Sequence, residues 1–404
     1  MDNESGKRPG NFLKYLGPGI ITAALIFGPG SLIISSKLGS LYQYRQLWII
    51  LVSVFFMIVF TIMSAKYGLA TRLSLIKTIR DRYGKIFSLL IGICITGVTL
   101  SFQTGNAIGS GLAIGGLTGH EPAPWILFFS GFAIVMLIFK SFYRILEKVM
   151  ILMVLLMIVS FLITLFISAP KPGQIVSGFI PTVPSGSEIL TIALIASSLS
   201  LVGAFFQSYL VQQKNWTPVE SGICYREGIA GILILGFISM LVLTTAGSVL
   251  YDRGTEIRTA ADLGLVLEPL FGRYAFGIFM TGMFAASFSS LLGNATLGGT
   301  ILADLLGLQT NLRTWPVRIL IMLIIATGAS IAILFRQFGI ELIIMAQAFT
   351  VLLAPFVGLV IFLVTGTRSV MGSLKNGAAF NILGSIGLAF LFFLAAYYAI
   401  DLIF

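Results

Sequence analysis

The chain has 404 residues, 57% of them hydrophobic and only 10% charged, and its mean hydropathy is +1.02. That composition excludes an ordinary soluble domain and implies a polytopic protein of the lipid bilayer. A net charge of +10 could point to nucleic acid, but its placement along the chain assigns it to membrane orientation, and no nucleic-acid partner is expected.

Residues 1–11 read as a polar cytoplasmic tail, too short for a cleavable signal with its own apolar core. Residues 12–404 read as one transmembrane transport domain. Apolar windows of about 19 residues fall near 12–40, 46–71, 86–116, 124–142, 146–169, 188–212, 226–250, 263–302, 317–335, 341–365 and 378–401. The expectation is an all-α protein of eleven spans. With the N-terminus in the cytoplasm, seventeen Lys and Arg fall on the inner side and six on the outer. This asymmetry is the positive-inside rule, and it leaves the C-terminus outside an inner or plasma membrane.

In the first span, GIITAALIFGPGSLIISS, the run Gly28-Pro29-Gly30-Ser31 interrupts the apolar pattern. Proline lacks an N–H and disfavours helix at the residue before it, so a transmembrane helix should unwind there. Open backbone at bilayer depth survives only where it lines a cavity or is buried in protein, and in secondary transporters such breaks form the substrate site. Lys37, near the outer end of the same span, either faces the pathway or snorkels to the interface; pointing inward, it would favour an anionic or zwitterionic substrate. Lys66 in span 2 poses the same choice.

Span 3 carries Gly105, Gly109, Ser110, Gly111 and Gly115 at helical spacing, and span 8 carries Ser289, Ser290, Gly293, Gly298 and Gly299. Their default role is close helix packing. Span 6 has Ser197, Ser198, Ser200, Gly203, Gln207 and Gln212 within an apolar run. A second break there would divide the chain into two inverted five-helix repeats, approximately 12–169 and 188–365, with 378–401 as an added helix. Cys94 and Cys224 carry no metal spacing, and no catalytic triad or phosphate-binding Gly-Lys motif is present. The chain therefore reads as a transporter acting on a small substrate, not an enzyme, with no cofactor and as a monomer.

Several stretches carry a resemblance: LGPGIITAALIFGPGS in span 1, QLWIILVSVFFMIVFTIMSAKYGLATRLSL in span 2, YRILEK before span 5, MFAASFSSLLGNATLGGTILADLLG in span 8, and Gln347 with Pro355-Phe356 in span 10. From about residue 12 to 365 the sequence resembles the Nramp family of proton-coupled divalent-metal transporters. The resemblance implies the LeuT-type fold of two inverted repeats and a substrate site formed by Gly28, Pro29, Gly30, Ser31, Ala204, Gln207 and Gln347.

It also exposes departures. The family's first-helix Asp-Pro-Gly-Asn stands here as Gly28-Pro29-Gly30-Ser31, and its sixth-helix Met-Pro-His as Ala204-Phe205-Phe206. A second sixth-helix histidine of the family falls at Val211. The family's proton-route acids of the third helix match Gln103 and Asn106. Arg144 and Glu147 match an intracellular gate or ion-pair network, and Arg318 a basic position near the inner exit. None of the fifteen acidic residues falls mid-membrane in spans 1, 3 or 6, and the single histidine, His120, belongs to the loop after span 3.

Dehydrated divalent ions want carboxylate, imidazole or sulfur ligands. A site of carbonyls, one hydroxyl and amides therefore disfavours tight transition-metal binding and suits a hydrated Mg²⁺, with proton coupling weak or absent because amides do not titrate. A second reading is a small polar organic solute such as an amino acid, held at the unwound segment 28–31 by free N–H groups and the positive helix end. A third, non-transporting reading is a sensor.

Overall fold

A computed structural model describes residues 27–137, 140–312 and 314–403, with the side chains of 140–147, 149 and 150 outside that description. The described residues are overwhelmingly helical and contain no strand. The membrane helices are α1 (Pro29–Tyr42), α2 (Leu47–Ala70), α3 (Lys85–Thr118), α4 (Pro122–Met136), α5 (Lys140–Ser168), α6 (Glu188–Ser198), α7 (Leu201–Gln213), α8 (Ser221–Leu250), α9 (Ala275–Leu305), α10 (Trp315–Leu334), α11 (Ile340–Thr365) and α12 (Ala378–Ile403). Among the described residues nine helices are long and apolar enough to cross a membrane, counting α6 with α7 as one interrupted span, and α4 is a shorter apolar helix. The first crossing is described only from Phe27 onward.

The apolar window 263–302 is split in the fold. Residues 260–274 form short helical pieces outside α9, one of which, Glu268–Phe271, ends at Gly272, whose φ of +51° suits glycine. Pro269, in the first turn of the piece Glu268–Phe271, separates that piece from the residues before it.

The repeat expected from the two breaks is visible in who packs against whom. If α1 corresponds to α7, α2 to α8, α3 to α9, α4 to α10 and α5 to α11, each contact should have a mate. Helix α1 packs on α8 and α7 on α2; α3 on α11 and α9 on α5; α3 on α4 and α9 on α10; α2 on α11 and α8 on α5. The pairs α3–α9, α2–α8 and α4–α10 map onto themselves. Helix α12 lies outside the scheme and packs against α11 and α2.

Small residues set these contacts. A Cβ on Gly109 of α3 would meet Ser287 Oγ at 2.6 Å and Pro29 Cβ at 2.7 Å, while one on Gly298 of α9 would strike Thr99 of α3. Between α1 and α8 the approach is backbone to backbone: a Cβ on Gly39 would run into the Leu243 carbonyl oxygen and lie 2.8 Å from the Gly247 nitrogen. Neither atom can swing away. Gly39→Ala should therefore cost about 1–3 kcal/mol, read as a lowered unfolding temperature in detergent; an unchanged melt would show that this contact is looser than drawn.

Candidate functional site

The start of α1 and the break between α6 and α7 line one cavity. Helix α1 starts abruptly at Pro29, with Gly28 extended before it (φ −100°, ψ 178°) and no side chain capping its N-terminus. Its first intrahelical bond runs from Leu32 N–H to the Gly28 carbonyl at 3.4 Å, so the amides of Gly30 and Ser31 precede the helical ladder. In the second repeat, α6 ends where Leu199 N–H reaches Ile195 O at 2.8 Å, and α7 begins after Ser200, whose hydroxyl accepts the Gly203 N–H at 3.3 Å. The cluster Ser197-Ser198-Leu199-Ser200 explains this local choice, since serine hydroxyls compete with the helical ladder and favour caps.

A cavity of about 360 Å³ lies between these breaks. Its inner part is lined by Gly28, Gly30, Ser31, Asn106, Ser290 and Gln347, and its walls by Phe102, Ser197, Ser200, Gly203, Phe206, Gln207, Leu210, Asn294 and Leu297. It continues to Gln213, Lys214, Glu227 and Leu312 at its mouth. Among the described lining residues Glu227 is the only acid, and that carboxylate is ion-paired with Lys214 at the mouth. No group of three or more His, Cys, Asp or Glu able to hold a metal ion occurs among the described residues.

The expected site residues divide into two groups. Gly28, Gly30, Ser31, Gln207, Gln347 and Asn106 line the cavity. Pro29, Ala204 and Gln103 are buried but do not line it. For Ala204 the reason is helical geometry: Gly203, Phe206, Gln207 and Leu210 repeat at i, i+3, i+4 and i+7 toward the cavity, which turns fully buried Ala204 into the packing behind. Phe206, which the resemblance matches to the family's histidine, lines the cavity. Gln103 accepts from Asn294 Nδ2 at 2.9 Å, and the same nitrogen donates to the Thr99 carbonyl at 2.9 Å, tying α3 to α9. Asn294 and Ser290, both on the cavity, were not singled out as site residues by the sequence; an asparagine inside an apolar span was the signal for the first.

The charged candidates lie elsewhere. Lys37 stands 3.5 Å from Glu341 Oε1, joining α1 to α11 away from the cavity lining. Lys66 places its ammonium 3.7 Å from the centre of the Phe380 ring on α12, the cation–π arrangement of a partly desolvated lysine. Arg318 donates to the Leu312 carbonyl at 3.3 Å and lies against the Trp315 ring, bracing the loop that lines the cavity mouth. Arg144 and Glu147 lie in the stretch whose side chains are outside the described residues. Cys94 and Cys224 are both free thiols.

Comparison with known proteins decides the family. Residues 19–401 match the family model described as Nramp, natural resistance-associated macrophage protein-like. The chain belongs to the Nramp family. Its relatives include the divalent metal cation transporter MntH of Deinococcus radiodurans, 27% identical over 92% of this chain and 86% of that one. Another is a natural resistance-associated macrophage protein 2 homolog of Dictyostelium discoideum, 22% identical over 95% of this chain and 63% of that one. Among solved structures, the manganese transporter of Eremococcus coleocola superposes with a TM-score of 0.77 at 19% identity, covering 98% of this chain and 88% of that one. Mhp1, a nucleobase-cation-symport-1 family transporter, gives 0.66 at 14% identity over 98% and 95%. This Nramp chain is thus a multi-pass membrane transport protein of the LeuT-type fold, and it belongs to a family of transporters rather than enzymes.

Proposed function

We propose that this Nramp chain is a secondary transporter for a divalent metal cation, and that its altered cavity favours a hard, largely hydrated ion such as Mg²⁺ over a dehydrated transition metal. Family membership supports the cation, as do relatives named divalent metal cation transporters. The observation that carries the choice of ion is the neutrality of the inner cavity: Gly28 carbonyl, Ser31 hydroxyl, and the amides of Asn106, Gln207 and Gln347, with no carboxylate, imidazole or thioether among them. Stripping a divalent ion of water costs tens of kcal/mol in the idealised low-dielectric limit, and neutral dipoles recover that only with a dense shell. An ion that keeps its octahedral waters demands less. At about 30 Å³ per water, a cavity of about 360 Å³ accommodates a hexahydrated ion. Coupling through the third-helix route is closed in this reading, because Gln103 and Asn106 carry no titrating proton.

One observation favours a second reading, an organic solute bearing a carboxylate or similar anion. The uncapped start of α1 borders a cavity that also offers the rings of Phe102 and Phe206, a pairing of helix N-terminus and apolar wall that suits such an anion.

The test is the melting temperature of the purified protein across Mg²⁺, Mn²⁺ and a panel of amino acids and neutral metabolites, since a ligand of the folded state alone must stabilise it. The expected result is a saturable rise with Mg²⁺, of about 2.7 kcal/mol at a hundred times Kd, that exceeds the Mn²⁺ response and is lost in Gln207→Leu. A shift with an organic solute and none with either metal would overturn the metal reading in favour of the second.

A further inference from the structure

Among the described residues, Asp304 near the inner end of α9 is the one buried acid, 9% exposed. Its Oδ2 accepts from the Tyr209 hydroxyl of α7 at 2.5 Å and its Oδ1 from the Ser74 hydroxyl at 2.8 Å. No cation approaches it to ion-pair distance among the described residues. Ser74 caps the short helix Leu75–Tyr83 by accepting the Lys77 N–H at 3.1 Å, so the carboxylate holds that cap from the other side. The rest of the junction converges on the same linker. Gln212 of α7 donates to the carbonyls of Thr71 and Leu73 at 2.9 and 2.8 Å, and the Tyr67 hydroxyl of α2 bonds Thr78 at 2.6 Å. One carboxylate therefore gathers α9, α7 and the segment following α2.

We propose that Asp304 is a proton-binding site of this transporter, whose state of protonation sets how firmly α9 grips α7 and the 71–74 linker. Ionised, the group is acceptor-only and makes two charge-assisted bonds, roughly twice as strong as neutral ones. A proton arriving from the inner aqueous side adds to one carboxylate oxygen, turns it into a donor and leaves both contacts neutral. Helix α7 supplies Phe206, Gln207, Leu210 and Gln213 to the cavity, and α9 supplies Thr296 and Leu297, so loosening their junction moves the cavity wall. The amides Gln103 and Asn106 cannot perform this change of charge.

The titratable and charged groups facing Asp304 are Tyr209 from α7, Tyr67 from α2, and Lys77 and Arg80 from the short helix, whose Asp81 acts on Tyr67. Arg80 itself donates to the Leu305 carbonyl. Helix α3, which sets Gly92 against Leu305, carries Lys85 and Cys94, and α10 carries Arg318, turned onto Leu312 and Trp315.

The test needs no knowledge of the transported solute. A single cysteine is placed on the cavity wall as Thr296→Cys, with Cys94→Ser and Cys224→Ser, and its alkylation by a neutral maleimide is timed in nanodiscs from about pH 5 to about pH 8. The same thiol in an Asp304→Asn chain supplies the control for thiol ionisation. The ratio of the two rates should change at least about threefold across that range and approach one at the acid end, where aspartate and asparagine are both neutral. Tyr209→Phe, which removes one donor to the charge, should displace the midpoint by about tenfold in proton concentration, and Asp304→Glu should retain a pH-dependent ratio. A ratio that stays flat with both proteins folded overturns the proposal. If Asp304→Asn does not fold, Tyr209→Phe and Ser74→Ala decide it, and profiles identical to the parent in both overturn it equally.

Discussion

Leucine at position 30 is expected to abolish uptake while the protein still folds. A Cβ on Gly30 would lie 2.5 Å from Gln347 Nε2 and 2.7 Å from its Cδ, so any side chain there must displace the Gln347 amide from the cavity. That amide ends a flexible side chain, unlike the backbone that Gly39 faces, so the fold can absorb the change by moving it aside. The branched end of leucine would then occupy the space between the start of α1 and α11. Uptake into proteoliposomes of whichever solute stabilises the parent should fall at least about a hundredfold, equivalent to roughly 2.7 kcal/mol, with an unchanged elution profile on gel filtration. Gly28→Ala should be milder, since its Cβ meets Asn106 Oδ1 at 3.0 Å and Ser290 Oγ at 3.5 Å. Normal uptake by folded Gly30→Leu would place the transport site elsewhere.

The second large effect is a gain. Gly28→Asp with Ser31→Asn restores the family's first-helix ligands to a cavity whose inner part is neutral, and should raise Mn²⁺ affinity at least about tenfold, or roughly 1.4 kcal/mol, by titration calorimetry. The carboxylate would emerge beside the Asn106 amide and the Ser290 side chain, within the ring formed with Gln347. Ala204→Met, which family likeness also suggests, should add nothing and cost about 1–3 kcal/mol, because Ala204 is fully buried behind the cavity-facing stripe of α7. A folded Gly28→Asp protein with no gain in Mn²⁺ affinity would count against an otherwise intact metal site. Soft-metal selectivity appearing with Ala204→Met would mean that α7 rotates when the substrate binds.

Much of the site's position was legible in the chain because proline and glycine act locally. Gly28-Pro29-Gly30 sets where α1 starts, and the serines of 197–200 supply both a competitor for the helical ladder and a cap for its restart. Facing directions were less legible. Family matching brought Ala204 forward, whereas the rotation of α7 that presents Gly203, Phe206, Gln207 and Leu210 is set by packing against α2 and α11. Lys37 had two readings from sequence, pathway or interface; its partner Glu341 lies more than three hundred residues away along the chain, and no local pattern signals such a pair.

Asp304 marks the limit most clearly. Along the sequence it is an acid at the end of an apolar run, the usual place for a solvated charge. In the fold it is buried, because the linker after α2 and the inner end of α7 close over it with two hydroxyls.

What the sequence determined by itself was the membrane class, the start of α1 at Pro29, the break at 197–200 and the absence of carboxylate and imidazole from the middle of spans 1, 3 and 6, all of them consequences of composition and local backbone chemistry. Only the tertiary structure decided which neutral groups share one cavity, which apparent candidates are turned into packing, and which acid is enclosed. Those outcomes depend on the rotation and contact of helices brought together by the repeat, and a rotation of a fraction of a turn exchanges a cavity wall for a packed face.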